Sequence, residues 1–236
     1  MGQERIIHAA LLGAGTVGSG VYKLVKDLEE EIISKTGARL VVDKILVRDT
    51  TKAREGIPSE LLIDRWDEIL NDPQIEIVIE VMGGIRPALT WLEEALRAGK
   101  QVVTANKDLL AEYGEQLFDA AEAGKCDLHF EAAVAGAIPI IRPLRQSLVA
   151  SELTEVMGIV NGTTNYILTR MTEDGMGYEE ALALATKLGY AESDPTADVE
   201  GYDAGRKVAI MASIAFNSNV TFSQVYTEGI THITAE

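Results

Sequence analysis

Along residues 1–130 the pattern of apolar positions switches repeatedly between two periods. Short apolar runs from Ile6 to Leu12, Leu40 to Val47, Ile75 to Val81, Gln101 to Thr104 and Leu128 to Phe130 predict strands. Between them lie stretches of helical period. Val21, Leu24, Val25 and Leu28 recur at three- and four-residue steps and predict a helix reaching about Ser34. A second helix is expected from about Pro87 to Ala98, with proline near its start, and a third from Asn106 to about Gly124. Strand and helix taking turns this regularly predict an α/β fold with a doubly wound parallel sheet.

Residues 131–236 read differently and are assigned to a second domain. Glu131-Ala-Ala-Val-Ala-Gly-Ala-Ile-Pro139 is small and apolar around one acid, and a helix from Pro139 to about Leu148 follows. Leu153 to Val160 predicts a strand ending in Asn161-Gly-Thr-Thr-Asn165, with helices from Tyr166 to Met171 and from Glu179 to Leu188. Asp194-Pro195 marks a turn, and Thr196 or Asp198 can cap what comes next. From Asp198 an unbroken helix is expected to about Phe216, on apolar Val199, Tyr202, Val208, Met211 and Ile214. Asp203 and Lys207 are one turn apart on one face of it. Alone, such a pair is a solvated surface bridge. The apolar Val208-Ala209-Ile210 directly after Lys207 instead suggests a helix buried nearly all round, where a lysine needs a partner and can then donate a proton.

Bulk composition narrows the function classes. The chain has 236 residues, 47% of them hydrophobic, enough for one large or two modest cores. A single cysteine, Cys126, cannot form an internal disulfide, which fits a reducing cytoplasm. No apolar run is long enough for a membrane helix, and the glycine-broken N-terminus does not read as a signal peptide. The net charge of −16 argues against nucleic acid as a partner and requires a local positive patch for any phosphate-bearing ligand. His8, His129 and His232 show no metal spacing and read as structural.

The first strand runs straight into Gly13-Ala-Gly15-Thr16-Val17-Gly18 and then a helix, which is the context a dinucleotide fingerprint requires. Gly13 permits the tight turn, Gly15 the approach of a pyrophosphate, and Gly18 close packing of helix on strand. The N–H groups of the helix start at Thr16 and Val17 then face the phosphates. The second strand ends in Arg48-Asp49-Thr50-Thr51-Lys52. An arginine at this tip suits a 2′-phosphate, so Arg48 with Lys52 favours NADP(H), while Asp49 keeps NAD(H) open and Lys52 also reads as plain surface charge. Gly83-Gly84 and Thr104-Ala-Asn-Lys107 follow later strands and are placed at the mouth of the cofactor crevice. Lys107 opens a helix, where a cation opposes the dipole, so it serves a ligand or is simply an exposed lysine. Glu131 is either a carboxylate bonded to backbone or part of a cation site made with carbonyls.

The stretch Ala185 to Lys207, A-x₃-G-Y-A-x₂-D-P-x₂-D-V-x-G-x-D-x₃-K, resembles the signature of homoserine dehydrogenases. Gly13–Gly18, Glu80-Val-Met-Gly-Gly84, Val103-Thr-Ala-Asn-Lys107 and Asn161–Asn165 resemble that family's other blocks, in the family's order. The resemblance covers nearly the whole chain and implies a Rossmann-type NAD(P) domain over 1–130 and an α+β substrate and dimerisation domain over 131–236. It implies NAD(P)H-dependent interconversion of L-aspartate 4-semialdehyde and L-homoserine on the path to threonine, methionine and isoleucine. In that picture Lys207 donates the proton, Asp203 orients it, and Lys107 lies between nicotinamide and substrate. Glu192 meets the substrate ammonium, while Gly162, Thr163, Tyr190 and Asp198 shape the pocket. Glu131 with the carbonyls of Val134, Gly136 and Ile138 holds a sodium ion, and the full-length form is a cytoplasmic homodimer. The family pattern continues past Glu236, so the second domain is expected to be partial. The alternative is a catalytically silent NADP-binding module.

Overall fold

The computed structural model describes residues 5–234, and the chain divides into two compact units, Met1–Ala133 and Val134–Glu236. The first unit contains β1 (Arg5–Leu12), α1 (Thr16–Asp27), α2 (Glu29–Thr36), β2 (Ala38–Leu46), β3 (Leu62–Ile63) and α3 (Asp67–Leu70). It continues with β4 (Ile75–Glu80), α4 (Ala88–Arg97), β5 (Gln101–Thr104), α5 (Lys107–Gly124) and β6 (Leu128–His129). The strands pair in the order β3-β2-β1-β4-β5-β6, every pair parallel. This is the doubly wound Rossmann-type arrangement, built of two halves that meet between β1 and β4. At that central position Ala9, Ala10, Leu11 and Leu12 are fully buried, as a strand covered on both faces must be.

The expected first helix is in fact two. Leu28 leaves helical geometry at φ −105°, ψ 21°, and Glu29, Glu30 and Glu31 then form the first turn of α2, where acids favour the positive end of the dipole. Glu29 also pairs with Arg39. The two-residue β3 and four-residue α3 were not expected; neither is long enough to show a period.

In the second unit the helices are α6 (Gly162–Asp174), α7 (Tyr178–Leu188), α8 (Thr196–Val199) and α9 (Tyr202–Ala215). Ile167, Met171, Ala181, Ala185, Ala191, Val199 and Ile230 form a core shared by α6, α7 and α8. Three expectations are corrected here. The helix placed at Pro139–Leu148 is a shorter segment with a π turn at Pro143–Ser147, where Pro143 has no N–H to give to the preceding turn. Leu153 to Val160 forms no strand: no neighbouring strand in its unit, among the described residues, takes up its backbone groups, and Met157 and Ile159 are exposed. The helix from Asp198 to Phe216 breaks at Gly201, whose φ of 80° is left-handed and whose Cβ, if present, would lie 2.9 Å from the Glu228 carbonyl oxygen. Nor is α9 buried all round, since Val208 and Tyr202 are exposed while Asp203, Gly205, Ala209 and Ile210 are buried.

Candidate active site

The first unit gathers its glycine turn and two loops at the carboxyl ends of β1, β4 and β5. Gly13 has φ 101°, and a Cβ there would come within 3.0 Å of the Met82 backbone. A Cβ on Gly18 would lie 2.1 Å from the Gly13 carbonyl oxygen, so only glycine lets α1 pack down on the turn. Gly15 differs. It precedes α1, and a Cβ there would meet nothing within 4 Å, leaving open space directly before the N–H groups of Thr16 and Val17. A phosphate fits that cradle, because helix N-termini offer unpaired donors and a positive dipole end.

Arg48 and Lys52 are exposed beyond the end of β2. Asp49 is turned locally: its Oδ1 accepts from the Thr51 hydroxyl at 2.6 Å and the Thr51 N–H at 2.9 Å. Those two bonds hold its carboxyl below the usual range. Gly83 and Gly84 have positive φ and open space around them. Thr104 is buried, and its hydroxyl donates to Glu80 at 2.6 Å. Lys107 is the first residue of α5 and half-buried, with Asn106 capping the helix by accepting from the Leu109 N–H at 3.2 Å.

In the second unit a hydrogen-bonded cluster joins α6, α8 and α9. Lys207 Nζ lies 2.6 Å from Asp203 Oδ2 and donates to the Val160 carbonyl at 2.7 Å. The side chains are 16% and 8% exposed, so the pair is not a solvated surface bridge. Asn161 joins the cluster through its amide nitrogen, which donates to Asp203 Oδ2 at 2.8 Å and to Asp198 Oδ1 at 2.7 Å. Its carbonyl oxygen accepts from the Thr164 N–H at 2.8 Å and so caps α6. Thr163 donates to the Tyr190 carbonyl at 2.8 Å, and Tyr190 stacks on Tyr166 with ring centres 4.5 Å apart. Gly162 is the exposed first residue of α6. Glu192 is exposed, and no hydrogen bond ties it to this cluster among the described residues. Chemically, the cluster presents one ammonium fixed by a buried carboxylate, suited to giving a proton to an oxyanion.

Two models of one family match the chain in succession. "Homoserine dehydrogenase, NAD binding domain" matches residues 13–131 and "Homoserine dehydrogenase" matches residues 139–236. The chain belongs to the homoserine dehydrogenase family. Its first unit carries that family's nicotinamide-dinucleotide domain. The chain is 47% identical over 233 residues to the homoserine dehydrogenase of Bacillus subtilis, covering 98% of this chain and 54% of that protein. A solved homoserine dehydrogenase from Thiobacillus denitrificans superposes with a TM-score of 0.90 at 43% identity, covering 98% of this chain and 54% of the other. A hyperthermophilic archaeal homoserine dehydrogenase solved with NADPH shares the fold at a TM-score of 0.82 and 24% identity, covering 98% and 76%. The chain thus spans about half the length of the curated homoserine dehydrogenases it matches.

Two polar residues inside the family's blocks were not singled out from the sequence. Glu80 and Asn161 are buried and each makes at least three hydrogen bonds. A strand-terminal acid and a loop asparagine give no periodic signal; only the partners that the fold brings to them mark them out.

Proposed function

We propose that the chain carries the cofactor-binding and proton-donating parts of an enzyme that interconverts L-aspartate 4-semialdehyde and L-homoserine with NADP(H). The observation that carries this reading is the Lys207–Asp203 pair, clamped at 2.6 Å within the family's signature stretch. Residues 1–130 hold the dinucleotide and residues 131–236 the amino-acid substrate. Gly13, Gly15, Thr16, Val17 and Gly18 receive the pyrophosphate. Arg48 and Lys52 receive the 2′-phosphate, which favours NADP(H); the NADPH bound to the archaeal relative supports the same choice. Gly83, Thr104 and Lys107 border the nicotinamide half.

A nicotinamide held there would supply hydride to the aldehyde carbon, leaving an alkoxide at its oxygen. The oxygen then bears negative charge, and Lys207 protonates it. Asp203 aims Lys207, holding its Nζ at 2.6 Å while the Val160 carbonyl holds it from another side. Glu192 receives the substrate ammonium, with Asp198, Gly162, Thr163 and Tyr190 forming the walls around it. Exposure of Glu192 suits that role, since a carboxylate awaiting a cation is best left in water.

We also assign a monovalent cation, sodium, to Glu131 and the carbonyls of Val134, Gly136 and Ile138. Support comes from the backbone: Ala135 and Ala137 hold left-handed φ of 51° and 69°, a strain non-glycine residues carry where a ligand clamp needs it. Reaction in the cytoplasm fits the single cysteine, and no helix among the described residues is long and apolar enough to cross a membrane. The full-length form is proposed to be a homodimer. The exposed Met157 and Ile159, on a segment that pairs with no strand among the described residues, support a partner for that face.

The experiment is spectrophotometric: oxidation of NADPH by this chain with and without aspartate semialdehyde, alongside a nucleotide titration. Turnover that disappears in Lys207→Ala supports the reading. Nucleotide binding with no turnover would make the 236-residue chain a silent NADP-binding module.

A further inference from the structure

Glu80, the last residue of β4, is fully buried at the meeting point of the two halves of the sheet. No lysine, arginine or histidine among the described residues pairs with it. Its donors come instead from two loops. Oε1 accepts the N–H groups of Met82 at 2.9 Å and Gly83 at 3.0 Å, and Oε2 accepts the Thr104 hydroxyl at 2.6 Å. A buried carboxyl without a cation is costly, and a hydrophobic residue would seal a strand end more simply. The arrangement therefore points to a requirement on the loops themselves.

The bonds continue into a closed ring. Thr104 Oγ1 accepts the Asn106 N–H at 3.0 Å, and the Asn106 amide returns to the Gly84 carbonyl at 2.7 Å. Both loops, after β4 and after β5, are thus fixed to one carboxyl group. The ring also abuts the glycine turn, because the Met82 backbone is what excludes a side chain at Gly13. In a sheet of this order the adenosine half of a dinucleotide lies over β1 and β2, and the other half over β4 and β5. We propose that Glu80 is a positioning residue for the nicotinamide half of the cofactor, holding Gly83-Gly84 and the start of α5 in the shape that half requires. This rests on the cofactor reading given above.

The test compares two ligands on the whole chain: NADPH, and adenosine 2′,5′-bisphosphate, which has only the adenosine half. Glu80→Gln keeps size but turns one acceptor into a donor, leaving the Thr104 hydroxyl proton without its acceptor. Thr104→Val removes the same link from the other side and serves if Glu80→Gln fails to fold. Both variants should bind NADPH about tenfold more weakly while binding the bisphosphate within about twofold of the parent. Unchanged NADPH affinity in both variants overturns the proposal. So does equal weakening of the two ligands, which would mean general damage to the fold. A parent chain that binds neither ligand removes the cofactor reading itself, and this one with it.

Discussion

Lys207 Nζ sits 2.6 Å from Asp203 Oδ2, and each partner is also held by a group the other does not use: Val160 O for the lysine, the Asn161 amide for the aspartate. Neither end of the pair is therefore held by the other alone. Lys207→Ala leaves a buried carboxylate without its cation, which costs about 2–3 kcal/mol of stability. If the lysine is the proton donor, turnover falls by about 10²–10⁴-fold. NADPH affinity stays within about twofold, since the phosphate cradle lies in the other unit. Thermal melting, steady-state rates and a nucleotide titration on the same preparation check the three parts separately. A variant turning over at the parent rate would remove Lys207 from the chemistry.

Much of the first unit was legible because its strands are short apolar runs separated by helical periods, a pattern that buried parallel strands impose on sequence. The glycine turn was legible for a stronger reason: Gly13 and Gly18 are sites where any side chain meets backbone. The second unit was less so. A helix was expected through residue 201 because the apolar period continues on both sides of it, yet one residue at φ 80° resets the axis. Leu153 to Val160 has strand composition, but a strand exists only when another pairs with it. Asn161 escaped notice because its importance lies in contacts with residues 37 and 42 positions away.

Gly15 and Gly18 should respond differently to the same added methyl group. At Gly18 the new carbon would lie 2.1 Å from a carbonyl oxygen, so α1 must shift and stability falls by about 1–3 kcal/mol. At Gly15 the methyl enters open space, so Gly15→Ala should melt within a degree or two of the parent. Its cost falls on the ligand, whose pyrophosphate would meet the new carbon, and NADPH binding should weaken about tenfold or more. Parallel melting curves and titrations separate the two. Equal melting temperatures for both variants would mean the turn is looser than its geometry implies.

Arg48 is the residue expected to choose between cofactors. It is exposed beyond β2, beside an Asp49 whose carboxyl oxygen is occupied by Thr51. Arg48→Asp should weaken NADPH by about 10–100-fold, the range for a lost bond to a charged group, while NADH is retained or tightened. Competitive titration of both cofactors gives the ratio directly. An unchanged ratio would show that the arginine does not meet the 2′-phosphate.

Asp72 supplies a pH test of the fold away from the active site. Its carboxylate accepts from Lys44 Nζ at 2.7 Å, and its backbone carbonyl accepts from the buried Lys100 Nζ at the same distance. The Lys44 bond, the Gln74 N–H and the charge of Lys100 hold the Asp72 carboxyl below its ordinary value of 3.8, whereas burial pushes the Lys100 ammonium down. In the unfolded chain the aspartate takes up its proton at the ordinary value, above the folded one. Its stabilising contribution is therefore complete above about pH 4–5 and is lost as the pH falls through the folded value. Asp72→Asn should lower the melting temperature most near neutral pH, and the gap from the parent should close on acidification below about pH 4. The variant also leaves Lys100 as a buried ammonium with carbonyl partners at Asp72 and Ile75, which adds to the deficit near neutrality. A gap of constant size across the whole acid range would show that the charge on Asp72 contributes nothing.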